Sequence, residues 1–162
     1  MIEALTRWLQ STALSKAFLD NGAWAWPLSE SLHFIGLTML IGSIGLIDLR
    51  ILGLARGIRI SDIHRLVIFT VAGFGINVVT GSLFLIGMPD QYFLNAAFQF
   101  KLVFLTVAGL NVLLFYSTVF RQLKLLGPDD EAPAAAKCMA AVSLLCWIGV
   151  ICAGRLLTFY RP

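Results

Sequence analysis

The sequence predicts an all-α integral membrane protein: an antiparallel bundle of four transmembrane helices with an N-terminal amphipathic helix at the membrane interface. The chain is 59% hydrophobic and 13% charged, whereas a soluble domain is nearer half apolar and about a quarter charged. Four apolar segments are each long enough to cross a hydrocarbon core about 30 Å thick at about 1.5 Å rise per residue. Polar or proline-containing loops separate these segments, which indicates consecutive antiparallel spans.

The length and charge of the chain exclude several classes of protein. The 162 residues are expected to form a single membrane domain, residues 1–162, with no soluble catalytic module beside the spans. The net charge is only +3, and Lys and Arg lie mostly at span ends, so we expect contact with the lipid bilayer and no nucleic-acid binding. The three cysteines lie in the last span at spacings that fit no Cys-x-x-Cys metal or redox motif.

Residues 1–22 are amphipathic and too polar to span the membrane. Their apolar side chains recur at helical spacing, while charged side chains occupy the other faces. We expect this segment to lie in the membrane interface or to cap the bundle. A break into two short helices is expected at Ser11-Thr12, and the segment should end at Asn21-Gly22.

The four predicted spans are rich in small residues. Pro27 is a suitable first residue for the first span. Glycine and serine along a span let another helix approach closely; in the first span these residues are Gly36, Gly42, Ser43 and Gly45. The predicted boundaries are residues 27–54, 64–87, 96–121 and 134–160.

The distribution of positive charge predicts the orientation. Of the 12 Lys and Arg residues, seven lie in or beside the first and third loops, and five lie on the other side of the bundle. Because the side richer in Lys and Arg faces the cytoplasm, we expect both termini to be periplasmic. In a bacterium this orientation corresponds to a multi-pass protein of the inner membrane.

A histidine opens the uncharged part of the first span. Between His33 and Asp48 there is no charged residue, and the triplet Asp48-Leu49-Arg50 closes the stretch. An ionisable residue at membrane depth is costly, so it is a functional-site hypothesis by default. His33 is therefore the first candidate for a ligand-binding residue.

Three ionisable groups are expected at one level of the membrane. In an antiparallel bundle, His33, Lys101 and Arg155 all lie near the outer ends of their spans. One imidazole can be the axial ligand of haem b, and cations at that depth suit the haem propionates. His64, which we expect to be solvated, lies at the opposite end, roughly a bilayer thickness away. One chain therefore does not supply two histidine ligands to a single haem.

Each of these residues also has a purely structural interpretation. His33 would then be a hydrogen-bonding residue at the interface, and Lys101 and Arg155 would extend their charged ends toward the headgroups. Asp48 and Arg50 would pair with groups on other helices at the inner boundary, because residues two apart do not face each other on a helix. The sequence leaves both interpretations open.

A resemblance to known families rests on short motifs spread over nearly the whole chain. The motifs are His33 followed by small residues, Asp48-Leu49-Arg50, Phe98-Gln99-Phe100-Lys101, Asn111 and Gly154-Arg155. This arrangement resembles an uncharacterised bacterial family of four-span membrane proteins, a domain of unknown function. It is more distantly similar to the four-span haem-binding protoporphyrinogen oxidase and to the copper-resistance D membrane domain. The similarity to the oxidase implies haem at His33, with Arg50 and Lys101 in the places of its Arg and Lys.

The leading functional interpretation is a haem b-binding membrane protein, either a redox subunit or an oxidoreductase. It would pass electrons between a quinone and a periplasmic redox partner. His33 would be the iron ligand, with Lys101, Arg155 and Arg50 as further cofactor-binding residues.

Two other functional classes stay open on the sequence. One is a copper or small-solute transport component, which would use polar groups midway across the membrane: Asn77, Thr80 and Asn111. The other is a non-catalytic accessory subunit whose glycine faces pack against a partner. In either case the glycine face of the first span would suit a homodimer or a larger membrane complex.

Overall fold

The structure is a computed structural model that describes residues 2–159, apart from the side chain of Ile2. Within these residues all regular structure is helical, and four helices are long and apolar enough to cross a membrane. The prediction of an all-α four-helix membrane bundle is confirmed. The helices are α1 (Ile2–Ser11), α2 (Ala13–Asp20), α3 (Gly22–Leu52), α4 (Ile60–Ile63), α5 (Val67–Gly87), α6 (Pro89–Phe93), α7 (Ala96–Thr118), α8 (Phe120–Leu123) and α9 (Ala134–Leu156), with a 3-10 turn at His64–Leu66.

The N-terminal segment forms two short helices that cap one end of the α3–α5 pair. The break occurs at Thr12, whose hydroxyl accepts a hydrogen bond from the Ser15 amide and so caps α2. Ser15 is buried and donates to the Ile86 carbonyl at the end of α5, at 3.1 Å. Of the two expected placements, the structure therefore favours a cap on the bundle. We call the end of the bundle that carries this cap the outer end. The opposite end, which carries the first and third loops, is the inner end.

The first long helix, α3, begins before Pro27 and ends before the predicted boundary. Its first residue is Gly22, so Pro27 lies inside the helix and not at its start. A proline this near the N-terminus removes only one intrahelical hydrogen bond. Burial of Ala25 in the cap cluster favours helix over this first stretch. The helix ends at Leu52 because Gly53, with φ +87°, adopts the left-handed conformation that stops a helix.

The other boundaries differ from the sequence expectation at the inner end. The second span begins with α4 and the 3-10 turn, which lengthen the apolar segment to Ile60–Gly87. The third span is interrupted at Val119, so that α7 ends at Thr118 and α8 follows. The fourth helix, α9, ends at Leu156, and the predicted boundary at Tyr160 lies outside the described residues.

The four long helices pack in the order α5, α3, α9, α7. Helix α3 packs along α5, α9 packs along α7, and the two pairs meet through α3 and α9. Consequently α3 and α9 have the largest buried shares, whereas α5 and α7 are mostly exposed to the surroundings, as suits helices that face lipid. At the inner end the loops close the bundle around an apolar cluster formed by Ile47, Ile51, Ile60, Ile63, Val119, Leu123, Ala132, Ala136 and Ala140.

Helices α3 and α5 cross at Gly36 and Gly73. A methyl group built on Gly73 would overlap the Gly36 carbonyl oxygen and would lie 2.8 Å from the Leu40 amide nitrogen. Only glycine permits two backbones to approach this closely. The other two first-span glycines singled out above, Gly42 and Gly45, have no described atom within 4 Å of such a methyl group. The close contact within the chain therefore involves Gly36 and not those two.

Candidate functional site

His33 is held by a hydrogen bond between two membrane-spanning helices. Its Nδ1 atom lies 2.7 Å from the Thr80 hydroxyl on α5. Thr80 is 3% exposed, and its hydroxyl also lies 2.8 Å from the Ile76 carbonyl oxygen, one turn back on α5. The pair is repeated further inward, where the hydroxyls of Ser43 and Thr70 are 2.6 Å apart. These two contacts fix the antiparallel register of α3 and α5.

The hydrogen bonds of Thr80 are compatible with a His33 tautomer that carries its proton on Nδ1. The Thr80 hydroxyl has one hydrogen, and in one arrangement it donates that hydrogen to the Ile76 carbonyl, which can only accept. The hydroxyl oxygen must then accept from His33, so Nδ1 carries the proton. The lone pair of the neutral imidazole is left on Nε2, which forms no hydrogen bond within residues 2–159. His33 therefore has one ring nitrogen anchored and the other available to a ligand.

The surroundings of His33 are aromatic on one side and open on the other. The ring of Phe84 lies 5.6 Å from the imidazole, and Trp26 packs on Phe84 at 5.1 Å. Gly81 leaves its side of the imidazole uncrowded, since an added methyl group would lie 3.8 Å from the His33 ring. Beside the His33–Thr80 pair, an open groove of about 380 Å³ is lined by Leu32, Ala72, Gly75, Ile76, Val79 and Thr80.

The aromatic cluster continues into the cap at the outer end. Phe18 from α2 packs on Trp26 at 5.6 Å between ring centroids, and Tyr92 of α6 lies against the same cluster. Burial, reinforced by the Glu30 carboxylate, raises the pKa of Tyr92 to about 12. Its phenol therefore keeps its proton at physiological pH and is a neutral neighbour of the site.

Lys101 is the cation that the structure brings near His33. Its side chain is half-buried on α7 and lies against Gly154 of α9. A methyl group built on Gly154 would lie 3.8 Å from the Lys101 Nζ atom. Lys101 lies in the second turn of α7, which begins at the same outer end of the bundle. Arg155, by contrast, is exposed, and its guanidinium lies over the Phe159 ring at 5.3 Å. The outer end thus combines an imidazole and one neighbouring ammonium, with Arg155 at the periphery.

Arg50 lies at the other end of the molecule and is a structural residue of the inner loops. It is 1% exposed, and at about 1.5 Å per residue it is about 25 Å from His33 along α3. Its guanidinium donates to carbonyl oxygens of the first and third loops. The acceptors are Ile58 at 2.6 Å, Gly127 at 2.9 Å, Pro128 at 2.7 Å and Asp130 at 3.4 Å. We call this group the Arg50 clamp.

An exposed ion network lies beside the Arg50 clamp. Glu131 accepts from Arg56 at 3.0 Å and from Lys137 at 3.1 Å. The hydrogen bond and charge of Lys137, together with Arg56, hold the pKa of Glu131 below its ordinary value. The network links the first loop, the third loop and α9, but its exposure makes it weaker than the buried clamp.

His64 occupies the inner end, far from His33. It is half-buried and packs against Phe120 at 4.5 Å and Tyr116 at 5.9 Å between ring centroids. The sequence predicts a solvated histidine here, whereas in the structure the 3-10 turn that carries His64 packs it against aromatic rings of α7 and α8. Thr80, which is level with His33, follows His64 by 16 residues. At a helical rise of about 1.5 Å per residue, the two histidines are therefore about 24 Å apart in depth.

The polar groups midway across the membrane are bonded to backbone carbonyls. Asn111 of α7 donates to the Met139 carbonyl of α9 at 3.0 Å, which is a bond between helices. Asn77 instead donates within α5, to the Gly73 carbonyl at 2.8 Å. Within residues 2–159, no group of three or more His, Cys, Asp or Glu side chains is placed to hold a metal ion.

Sequence reasoning missed the partner of His33. Thr80 was noted only as a polar residue in the middle of the second span. Its position could have been found from depth in the membrane. The first two spans are antiparallel and joined by the first loop, so the residue opposite His33 lies as many residues after that loop as His33 lies before it.

Comparisons with known proteins give a family but no function. No curated protein and no solved structure matches the chain. Residues 7–160, nearly the whole chain, match the Family of unknown function (DUF6644). The expected relation to an uncharacterised family is thereby confirmed, and the chain belongs to this family.

Proposed function

We propose that this protein binds haem b in the membrane and takes part in electron transfer, with His33 as the axial ligand. The observation that carries the proposal is the His33–Thr80 hydrogen bond. It anchors one ring nitrogen of the imidazole and leaves Nε2 without a partner among the described residues, at a depth where an unpaired imidazole nitrogen is poorly satisfied.

The residues around His33 fit a haem. Histidines that bind metals donate their other ring N–H to an acceptor that orients the ring, which is the role of Thr80 here. Gly81 leaves space beside the imidazole, and aromatic rings line the other side. Lys101 supplies a positive charge for a propionate. A haem b bound here would supply one-electron redox chemistry.

Of the other two predicted cofactor residues, the proposal keeps Arg155 and leaves out Arg50. Arg155 lies at the outer end and is a second cation for a propionate, because its exposed side chain is bonded to no acceptor among the described residues. Arg50 has no part in the haem site, since the clamp uses its donors about 25 Å away along α3. Of the three positions that the resemblance to the protoporphyrinogen oxidase implies, the proposal therefore keeps His33 and Lys101.

The proposed setting is the inner membrane of a bacterium, with both termini in the periplasm. The Lys and Arg of the inner loops support this orientation. His33 then lies near the periplasmic surface, which suits exchange of electrons with a quinone in the bilayer and with a periplasmic partner. A homodimer or larger complex would use the exposed sides of α5 and α7 or the open face at Gly42.

His33→Ala is expected to abolish haem binding, whereas His64→Ala should leave it intact. The reason is that the only free imidazole nitrogen at the outer end of the described chain belongs to His33. The measurement is the visible absorption spectrum of detergent-purified protein, oxidised and reduced, normalised to protein. Wild type should show a Soret band and, when reduced, sharp α and β bands.

The same spectra can contradict the proposal. A wild-type protein that never carries haem, or a His33→Ala protein with a full complement, would make the haem assignment wrong. Bound metal without a Soret band would instead favour copper transport, and neither would favour an accessory subunit.

Thr80→Val tests the orientation of the ligand separately from its presence. Valine is similar in shape but cannot accept the Nδ1 proton, so the imidazole loses its anchor. We expect haem affinity to fall about 10–100-fold, the usual cost of removing a second-sphere partner. Haem titration of the apoprotein measures the affinity. Ser82→Ala is the matched control, because its hydroxyl is exposed and bonds only within α5; equal losses in both variants would remove the role given to Thr80.

A further inference from the structure

Asp48 is a buried acidic side chain that the proposed haem site does not use. It lies on α3, four residues before the end of the helix, and is 4% exposed. Ser143 of α9, which is 7% exposed, is the polar side chain within hydrogen-bonding reach of its carboxyl group. The second carboxyl oxygen, Oδ2, is buried and has no hydrogen-bond partner within residues 2–159.

The cation closest to Asp48 along the chain is already engaged. The guanidinium of Arg50 donates to the carbonyls of the clamp. Neither salt bridge found in the described residues includes Asp48; both belong to Glu131. Among residues 2–159, Asp48 is therefore a buried carboxyl group without a counterion.

Other titratable groups lie on the elements that pack against this part of α3. They are Asp62, His64 and Arg65 before α5, and Lys137, Cys138 and Cys146 on α9. Asp62 and Arg65 are exposed to the surroundings, and Lys137 is bound to Glu131. His64 stacks on Phe120. None of them is positioned as an ion-pair partner of Asp48.

A carboxylate in these surroundings would be costly. A buried charge without a counterion costs several kcal/mol or more, and such a group commonly takes up a proton instead. A neutral carboxylic acid needs no counterion, and it can exchange a hydrogen bond with a hydroxyl such as that of Ser143. The geometry around Asp48 suits the neutral form.

We propose that Asp48 and Ser143 form a proton-binding site at the inner end of the α3–α9 interface. Asp48 is held there as a carboxylic acid, and it exchanges its proton with the aqueous phase at that end. A metal ion does not suit the site, because a hard cation such as Ca²⁺ takes about six to eight oxygen ligands. The site is about 22 Å from His33 along α3, so it does not depend on whether the chain carries haem.

Dicyclohexylcarbodiimide is the probe for this site, because it reacts with protonated carboxylic acids in apolar surroundings and not with carboxylates. We expect the full chain in detergent to be labelled at Asp48 at neutral pH, as located by peptide mass spectrometry. Labelling should be lost in Asp48→Asn and lost at alkaline pH. Asp129→Asn is the matched control: Asp129 is exposed in the third loop, and its replacement should leave the label unchanged.

Infrared spectroscopy tests whether Asp48 is protonated even if dicyclohexylcarbodiimide does not reach it. The difference spectrum of wild type and Asp48→Asn should contain the carbonyl stretch of a protonated carboxyl group at neutral pH. Ser143→Ala should shift the frequency of that band, since it removes the hydroxyl next to the carboxyl. A difference spectrum with only carboxylate bands would overturn the proposal. So would labelling that Na⁺ suppresses, which would indicate a cation site.

Discussion

Arg50→Ala should be among the most destabilising single substitutions in this protein. We expect the free energy of unfolding to fall by more than about 3 kcal/mol, because each hydrogen bond from a charged donor contributes about 1.5–3 kcal/mol and buried carbonyls are left without a partner. The carbonyls concerned belong to Ile58, Gly127, Pro128 and Asp130. Thermal unfolding in detergent, followed by circular dichroism, measures the loss.

Arg56→Ala is the control for this prediction. Arg56 lies in the first loop, which the clamp also contacts, but its side chain is 55% exposed and it pairs with an exposed carboxylate, so the expected cost is below about 1 kcal/mol. Arg50→Lys should lie between the two, since an ammonium keeps the charge but cannot reach carbonyls on two loops with a planar fork. Equal unfolding temperatures for Arg50→Ala and Arg56→Ala would show that the clamp does not hold the loops.

Gly73→Ala should separate the α3–α5 pair. The added methyl group would overlap the Gly36 carbonyl oxygen and approach the Leu40 amide nitrogen. Both obstacles are backbone atoms, which cannot rotate away as a side chain can. The helices must move apart, and the expected cost is about 2–3 kcal/mol, the upper part of the usual range for overpacking. The same displacement should weaken the His33–Thr80 hydrogen bond.

Gly75→Ala is a matched control on the same helix. No described atom lies within 4 Å of a methyl group at Gly75, and alanine is the better helix former. This variant should therefore unfold at or slightly above the wild-type temperature. If Gly73→Ala behaves as Gly75→Ala does, the close crossing at Gly36 is wrong.

The four spans could be predicted from the sequence because hydropathy alone sets them. An apolar segment of about 20 residues has few alternatives to crossing the membrane as a helix. The ends were less predictable. Pro27 marked a plausible helix start, yet α3 begins at Gly22, because contacts of the cap with Ala25 outweigh the cost of one missing hydrogen bond.

Contacts between spans were much harder to predict. The first span offers several small residues, and its composition does not distinguish Gly36, which meets α5, from Gly42, which meets no described residue. The role of Arg50 was beyond sequence reasoning for a different reason. Its acceptors are backbone carbonyls, and these carry no residue-specific signal.

The Arg50 clamp has a consequence for the order in which the protein is made. Arg50 is separated from its third-loop acceptors by 77 to 80 positions in the chain. At a synthesis rate of about 5–20 residues per second, those acceptors leave the ribosome on the order of 10 s after Arg50 does. During that interval the guanidinium must stay hydrated at the membrane surface while two further spans insert. The inner end therefore closes late, after the third loop has been synthesised.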